Sequence, residues 1–229
     1  MPTSSIAFDF FPASDNTLLV RFPDSATSDV NDRVLGLWWQ LQQRKQEYAI
    51  LNLHPAYETL LVRFDPLRRT HTDIEALVRR AAEMGLAPVH KRKLHQVPVC
   101  YGGAFGPDLG EVARLLQLTP EQVIEIHSSA QYRVYFLGFA PGFPYLGGMD
   151  HRIAVPRLGS PRKEVAPGSV AIADDQTGVY PVASPGGWRL IGRTPLKLFA
   201  PDGASPSLFL PGDSLRFVPI TADEYQRAI

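Results

Sequence analysis

The segment Gly138-Phe139-Ala140-Pro141-Gly142-Phe143-Pro144-Tyr145-Leu146-Gly147-Gly148 alternates glycine and proline with aromatic residues and follows an apolar strand. Prolines fix the backbone and aromatic rings make rigid walls, so this loop can line a pocket. It can equally be a buried loop that plugs the end of a barrel. A second group is basic: Arg157, Arg162, Lys163, Arg189 and Arg193, with the Pro-Arg step of Pro156-Arg157 repeated at Pro161-Arg162. Guanidinium groups recognise carboxylate or phosphate through paired N–H donors. The alternative is a solvated surface of local ion pairs. In Ser184-Pro185-Gly186-Gly187-Trp188, Gly186 and Gly187 let backbone N–H groups converge on an anion, or let a turn close tightly. His127 falls near the end of an expected helix, where it can act as a general base or only face the helix dipole.

Several chemistries lack their residues. There is no Gly-x-x-x-x-Gly-Lys-Ser/Thr run for a phosphate-binding loop, and Gly102-Gly103-Ala104-Phe105-Gly106 has no lysine to substitute for one. There is no Gly-x-Ser-x-Gly nucleophile elbow. The six histidines offer only a weak His90/His95 pairing, so no metal site is expected. Cys100 follows Val97-Pro98-Val99 and reads as a small core residue.

The elements that must position these residues fall into two halves. Only Gly36 and Gly85 of the 18 glycines precede residue 98, and 15 of the 21 prolines lie from Pro98 onward. Gly and Pro punctuate turns, so the second half is the turn-rich one. The division predicts an N-terminal domain over 1–92 and a second over 93–229, with His90-Lys91-Arg92-Lys93 as a solvated link or strand start.

In the first half, Ile6 to Phe11 and Thr17 to Phe22 read as strands around Asp15-Asn16. Val30, Val34, Leu37, Trp38 and Leu41 form one helical face, with Ser28 as the expected N-cap and Arg44 and Lys45 in the last turn. Tyr48 to Leu53 and Thr59 to Phe64 read as strands. Thr72 to Glu75 reads as a capping box that opens a helix ending at Gly85. The sum is a small α+β sandwich of ferredoxin-like style. The second half begins with the strand Lys93 to Cys100. Capping patterns follow at Asp108/Glu111 and Thr119/Gln122, with Pro120 in the first helical position. Arg133 to Phe139, Gly168 to Ala173, Gly178 to Pro181, Trp188 to Arg193 and Leu215 to Pro219 are short β segments between turns, which argues a barrel or sandwich.

Bulk composition excludes other classes. The 229 residues are 45% hydrophobic and carry 23 basic and 23 acidic side chains, so no basic excess points to nucleic acid or an anionic membrane. No apolar run is long enough to span a bilayer, and MPTSSIAFDFF has no secretory pattern. A lone cysteine fits a reducing cytoplasm.

The second half also carries an ordered series: Tyr101-Gly102-Gly103, Gly106-Pro107-Asp108-Leu109, His127-Ser128, the 138–148 segment, Pro156-Arg157-Leu158 with Pro161-Arg162, Pro167-Gly168-Ser169-Val170, Ser184 to Trp188, Ile191-Gly192-Arg193-Thr194-Pro195 and Pro211-Gly212-Asp213. In this the chain resembles the family of 5-oxoprolinase B subunits, also labelled KipI-like or allophanate hydrolase subunit 1. The resemblance implies a cyclophilin-like β-barrel behind the small α+β domain. It implies joint action with subunits A and C in ATP-dependent opening of 5-oxo-L-proline to L-glutamate, with no phosphate-binding loop in this chain. Under it, Arg157, Arg162 and Arg193, with Gly186 and Gly187, are the expected substrate or anion clamps. His127 is the expected acid/base, and Phe143, Tyr145 and Trp188 are the expected walls. Related barrels imply two alternatives: a protein-binding inhibitor of a histidine kinase, and a carboxyltransferase-type component of a urea carboxylase or allophanate hydrolase system. No biotin-accepting Met-Lys motif is present for the latter.

Overall fold

The computed structural model describes residues 7–24, 27–86, 92–203 and 205–229. The expected strand start at Ile6, and His90 and Lys91 of the basic stretch, lie outside them. The chain divides into two compact units, Met1–Lys91 and Arg92–Ile229.

The first unit runs β1 (Asp9–Ser14), β2 (Thr17–Arg21), α1 (Ser28–Gln43), β3 (Ile50–Pro55), β4 (Thr59–Phe64) and α2 (His71–Glu83). Its antiparallel sheet has the order β1-β2-β4-β3. Thus β2-α1-β3 brackets β4, and β1, on the other side of β2, stands where a ferredoxin-like sheet has its last strand. Strand alternation sends Leu18, Val20, Leu60 and Val62 inward, and Val34, Leu37, Leu41, Ile74 and Val78 cover them from the helices. Both helix starts differ from expectation. Thr27, not Ser28, caps α1, its Oγ1 accepting from Val30 N at 3.3 Å. Thr70 forms the capping box with Asp73 two residues before the expected Thr72. In each case the capping hydroxyl accepts from the backbone N–H three residues on, inside the first turn. Arg44 and Lys45 also fall beyond the end of α1.

The second unit comprises β5 (Leu94–Tyr101), α3 (Leu109–Leu116), α4 (Pro120–Ser129), β6 (Tyr132–Leu137), β7 (Pro144–Gly147), β8 (Arg162–Val165), β9 (Ser169–Ala173), β10 (Gln176–Val179), β11 (Ser184–Gly186), β12 (Arg189–Arg193), β13 (Ser214–Pro219) and α5 (Ala222–Arg227). Seven strands close a barrel in the order β10-β7-β6-β13-β5-β12-β9, and β8 pairs with β11 as a separate two-stranded arm. One barrel pair is parallel: β13 lies along β5 from Ser214 opposite Leu94 to Pro219 opposite Val99. Val97, Val99, Tyr132, Val134, Leu146, Val170, Ile172, Ile191 and Phe217 fill the interior with side chains from α3 and α4. β9 is buried on both faces. Val170 and Ile172 point inward, while Ala171 and Ala173 belong to an outer cluster with Phe143, Val165, Tyr180, Trp188 and Leu190. The small alanines leave room on the outer wall for those rings. The chain is therefore α+β with a closed barrel, as expected. Among the described residues, no helix is long and apolar enough to cross a membrane.

Candidate functional site

The outer cluster floors a cavity of about 400 Å³ lined by Phe139, Phe143, Tyr145, Arg157, Leu158, Pro161, Tyr180 and Pro185 to Trp188. That volume lies within the range of small-molecule sites. Three segments supply the lining. The first is the aromatic loop between β6 and β7, which the bond from Gly138 N to Phe143 O folds back on itself at 3.1 Å. β7, hidden within the expected loop, carries Tyr145 outward and stacks it on Phe136 at 4.3 Å. The second is the stretch before β8, which Leu158 N fastens to Gly187 O at 2.8 Å. The third is the β11 turn.

Phe143 meets Tyr145, Tyr180 and Trp188 edge to face at 5.3–5.7 Å. The approach depends on Gly178, where an added Cβ would sit 2.9 Å from the Phe143 ring. Phe139 stands at the rim, 63% exposed, on a backbone with φ of 65°. A bulky residue at positive φ is strained, which fits a rim residue held by its ring contacts with Phe143 and Tyr180.

Of the expected residues, the cavity collects Arg157, Gly186, Gly187, Phe143, Tyr145 and Trp188. Arg157 spends its Nε on Asp174 at 3.1 Å and lies 6.0 Å from the Trp188 ring centroid. No described residue accepts a hydrogen bond from its terminal nitrogens. The lining thus brings one guanidinium, enough for one carboxylate and too little for a triphosphate.

Arg162, Arg193 and His127 are not part of this lining. Arg162 donates to Asp108 Oδ1 at 2.5 Å and to Trp188 O at 3.4 Å, while Asp108 Oδ2 accepts from Leu190 N at 2.6 Å. These bonds pin the β8–β11 arm to the barrel. They also explain why Asp108, expected to cap α3, makes no cap bond. Arg193 lies on β12, and its Nε is buried without a protein partner. His127 is wholly buried in the barrel, stacked on Phe217 at 4.5 Å. Its Nδ1 faces Tyr101 Oη at 2.8 Å and its Nε2 faces Thr177 Oγ1 at 2.9 Å. Thr177 donates onward to Ala171 O at 3.1 Å, so the partners assign a neutral ring with the proton on Nε2. Burial pushes this imidazole down to about 3.

His95 bonds to Asp213 Oδ2 at 2.9 Å, and His90 lies outside the described residues. Among those residues no cluster of His, Cys, Asp or Glu could hold a metal ion. Tyr180 is the lining residue that sequence reasoning missed. It sits just past β10 in the ordinary string Val179-Tyr180-Pro181, and its one sequence-level signal is Gly186, which gives it space.

Residues 8–209 match the family described as "Carboxyltransferase domain, subdomain C and D". A curated relative, the 5-oxoprolinase B subunit of Bacillus subtilis (strain 168), is 40% identical over 235 residues, covering 96% of each chain. Among solved structures, the protein TTHA0988 superposes with a TM-score of 0.80 at 35% identity over 91% of this chain. This chain spans 41% of that protein's length. The Kluyveromyces lactis urea carboxylase gives a TM-score of 0.76 at 20% identity over 99% of this chain and 23% of its own, a likeness of fold alone. With a match running almost end to end, the chain belongs to the family of 5-oxoprolinase B subunits, within the carboxyltransferase subdomain C and D family.

Proposed function

We propose that this chain is the B subunit of an ATP-dependent 5-oxoprolinase, acting with subunits A and C to hydrolyse 5-oxo-L-proline to L-glutamate in the cytoplasm. The observation that carries the reading is the 40% identity along 96% of both chains with a protein of that name. The outer cavity supports it. A small, flat cyclic acid needs apolar walls for its ring and one cation for its carboxylate. Phe143, Tyr145 and Trp188 provide the walls, and Arg157 with the Gly186-Gly187 turn provides the anion side. These residues do not fit a nucleoside triphosphate, which needs several cationic groups or oriented N–H donors. ATP is therefore assigned to the assembled complex and not to this cavity. In that assembly this chain's residues bind and orient the substrate and keep water from its ring face.

The test is co-expression with subunits A and C, followed by glutamate release from 5-oxoproline with and without ATP. Release that needs ATP and all three chains is expected. A soluble, co-purifying complex without release would overturn the reading in favour of a protein-binding regulator. In an active complex, Arg157→Gln is expected to raise KM for 5-oxoproline about tenfold or more, as loss of a charged hydrogen bond does.

A further inference from the structure

Tyr180 has no part in the expected set of residues, yet it holds the centre of the cavity wall. Its backbone is fixed on both sides: Tyr180 N donates to Ser169 O at 2.9 Å, and Tyr180 O accepts from Gly168 N at 2.7 Å. Its ring packs edge to face on Phe143 at 5.3 Å. Its hydroxyl fills the space that Gly186 leaves open, since a Cβ there would stand 2.4 Å from the phenol oxygen. Glycine at 186 thus admits the phenol as well as shaping a turn. No described residue accepts the phenol's own proton.

We propose that Tyr180 contacts substrate: its phenol O–H and the terminal nitrogens of Arg157 form a two-donor site for one carboxylate, which makes the cavity select a small cyclic acid over the matching amide. Four observations converge on this. Both residues line the same cavity. No described residue takes the phenol's proton, which leaves the O–H as the group to be given away. Burial raises the phenol's pKa above its ordinary value although the Arg162 and Arg157 charges pull it down, so the group stays a donor at neutral pH. The rest of the lining is rings, prolines, Leu158 and the Gly186-Gly187 turn, so Arg157 supplies its one charged side chain. A neutral amide would forgo the charge-assisted pair of bonds that the guanidinium gives a carboxylate.

The inference rests on the reading of this cavity as the site for 5-oxoproline, and its test separates the two. The full-length chain is titrated calorimetrically with 5-oxoproline and with 5-oxoprolinamide, as wild type and as Tyr180→Phe. The wild type is expected to bind the acid at least about tenfold more tightly than the amide. Tyr180→Phe is expected to lose about tenfold for the acid and less than about twofold for the amide. Equal weakening of both ligands, no weakening, or no acid preference in the wild type would overturn the proposal. Thermal unfolding reports whether the variant folds. If it does not, Gly186→Ala, which displaces the phenol without removing it, must erase the acid preference instead. Acid preference that depends on Tyr180 in a chain whose complex releases no glutamate would leave the carboxylate site standing and overturn only the oxoprolinase reading.

Discussion

Two tyrosine-centred polar groups lie on opposite faces of one barrel wall. Inside, Tyr101, His127 and Thr177 pass hydrogen bonds to one another and end on the Ala171 carbonyl, so every donor has its acceptor. Outside, Arg157 takes a carboxylate on one edge, and it and Tyr180 keep donors to spare. Thr177 and Tyr180 stand on the same short stretch of chain, so the difference comes from what surrounds them and not from residue type. A closed network spends its polar groups on a single well-defined interior. An open one holds them for a ligand, which the wall of rings and prolines keeps from water.

Mutation and pH can break this contrast. The largest effect is expected at His127. Its pKa is lowered by burial to about 3, against 6.5 when exposed, so the unfolded chain binds the extra proton first as pH falls. Stability from this ring is complete above about pH 6.5 and is lost as pH drops toward 3, by up to about 1.4 kcal/mol per pH unit. Urea unfolding of wild type against His127→Gln between pH 7 and pH 4 should show the wild type losing more with acid, and parallel curves would mean the ring is not closed off from solvent. Next comes Asp108→Asn, which leaves Arg162 without its charge partner and weakens the hold on Leu190 N. A loss of about 2–3 kcal/mol is expected at neutral pH. A loss below about 0.5 kcal/mol would free Arg162 from the arm and return it to consideration as a ligand clamp. The smallest stability effect belongs to Arg157→Gln. Both partners of its ion pair are more than half exposed, so stability should change by no more than about 0.5 kcal/mol. If that variant is strongly destabilised, the open group is structural after all and the contrast between the two faces collapses.

What the sequence made legible was local. The Thr119 capping box with Pro120 and the β2 and β4 strands depend on neighbours a few residues away, and they appear where expected. Asp108 read as the same kind of cap because the competing partners, Arg162 and Leu190, lie 54 and 82 residues on. β7, β8 and β11 are three or four residues long and carry glycine, proline or charge, so periodicity has nothing to count in them. The site followed the same rule. Aromatic and glycine density marked Phe143, Tyr145, Gly186, Gly187 and Trp188, because those residues are conspicuous as strings. Tyr180 entered through the space that Gly186 leaves, and His127 left the lining because its helix turns it into the barrel, neither of which a string records.

The parallel pairing of β5 with β13 has a consequence for the order of folding. Each rung of that ladder joins residues about 120 positions apart, from Ser214 with Leu94 to Pro219 with Val99. Loop-closure entropy must be overcome before such a contact returns anything, so topology places this seam late and slow. On the ribosome, the barrel strands from β5 to β12 emerge while the seam that seals them is still unmade. The apolar strand edges of the nascent barrel therefore wait, exposed to chaperones and to one another, until the last strand arrives.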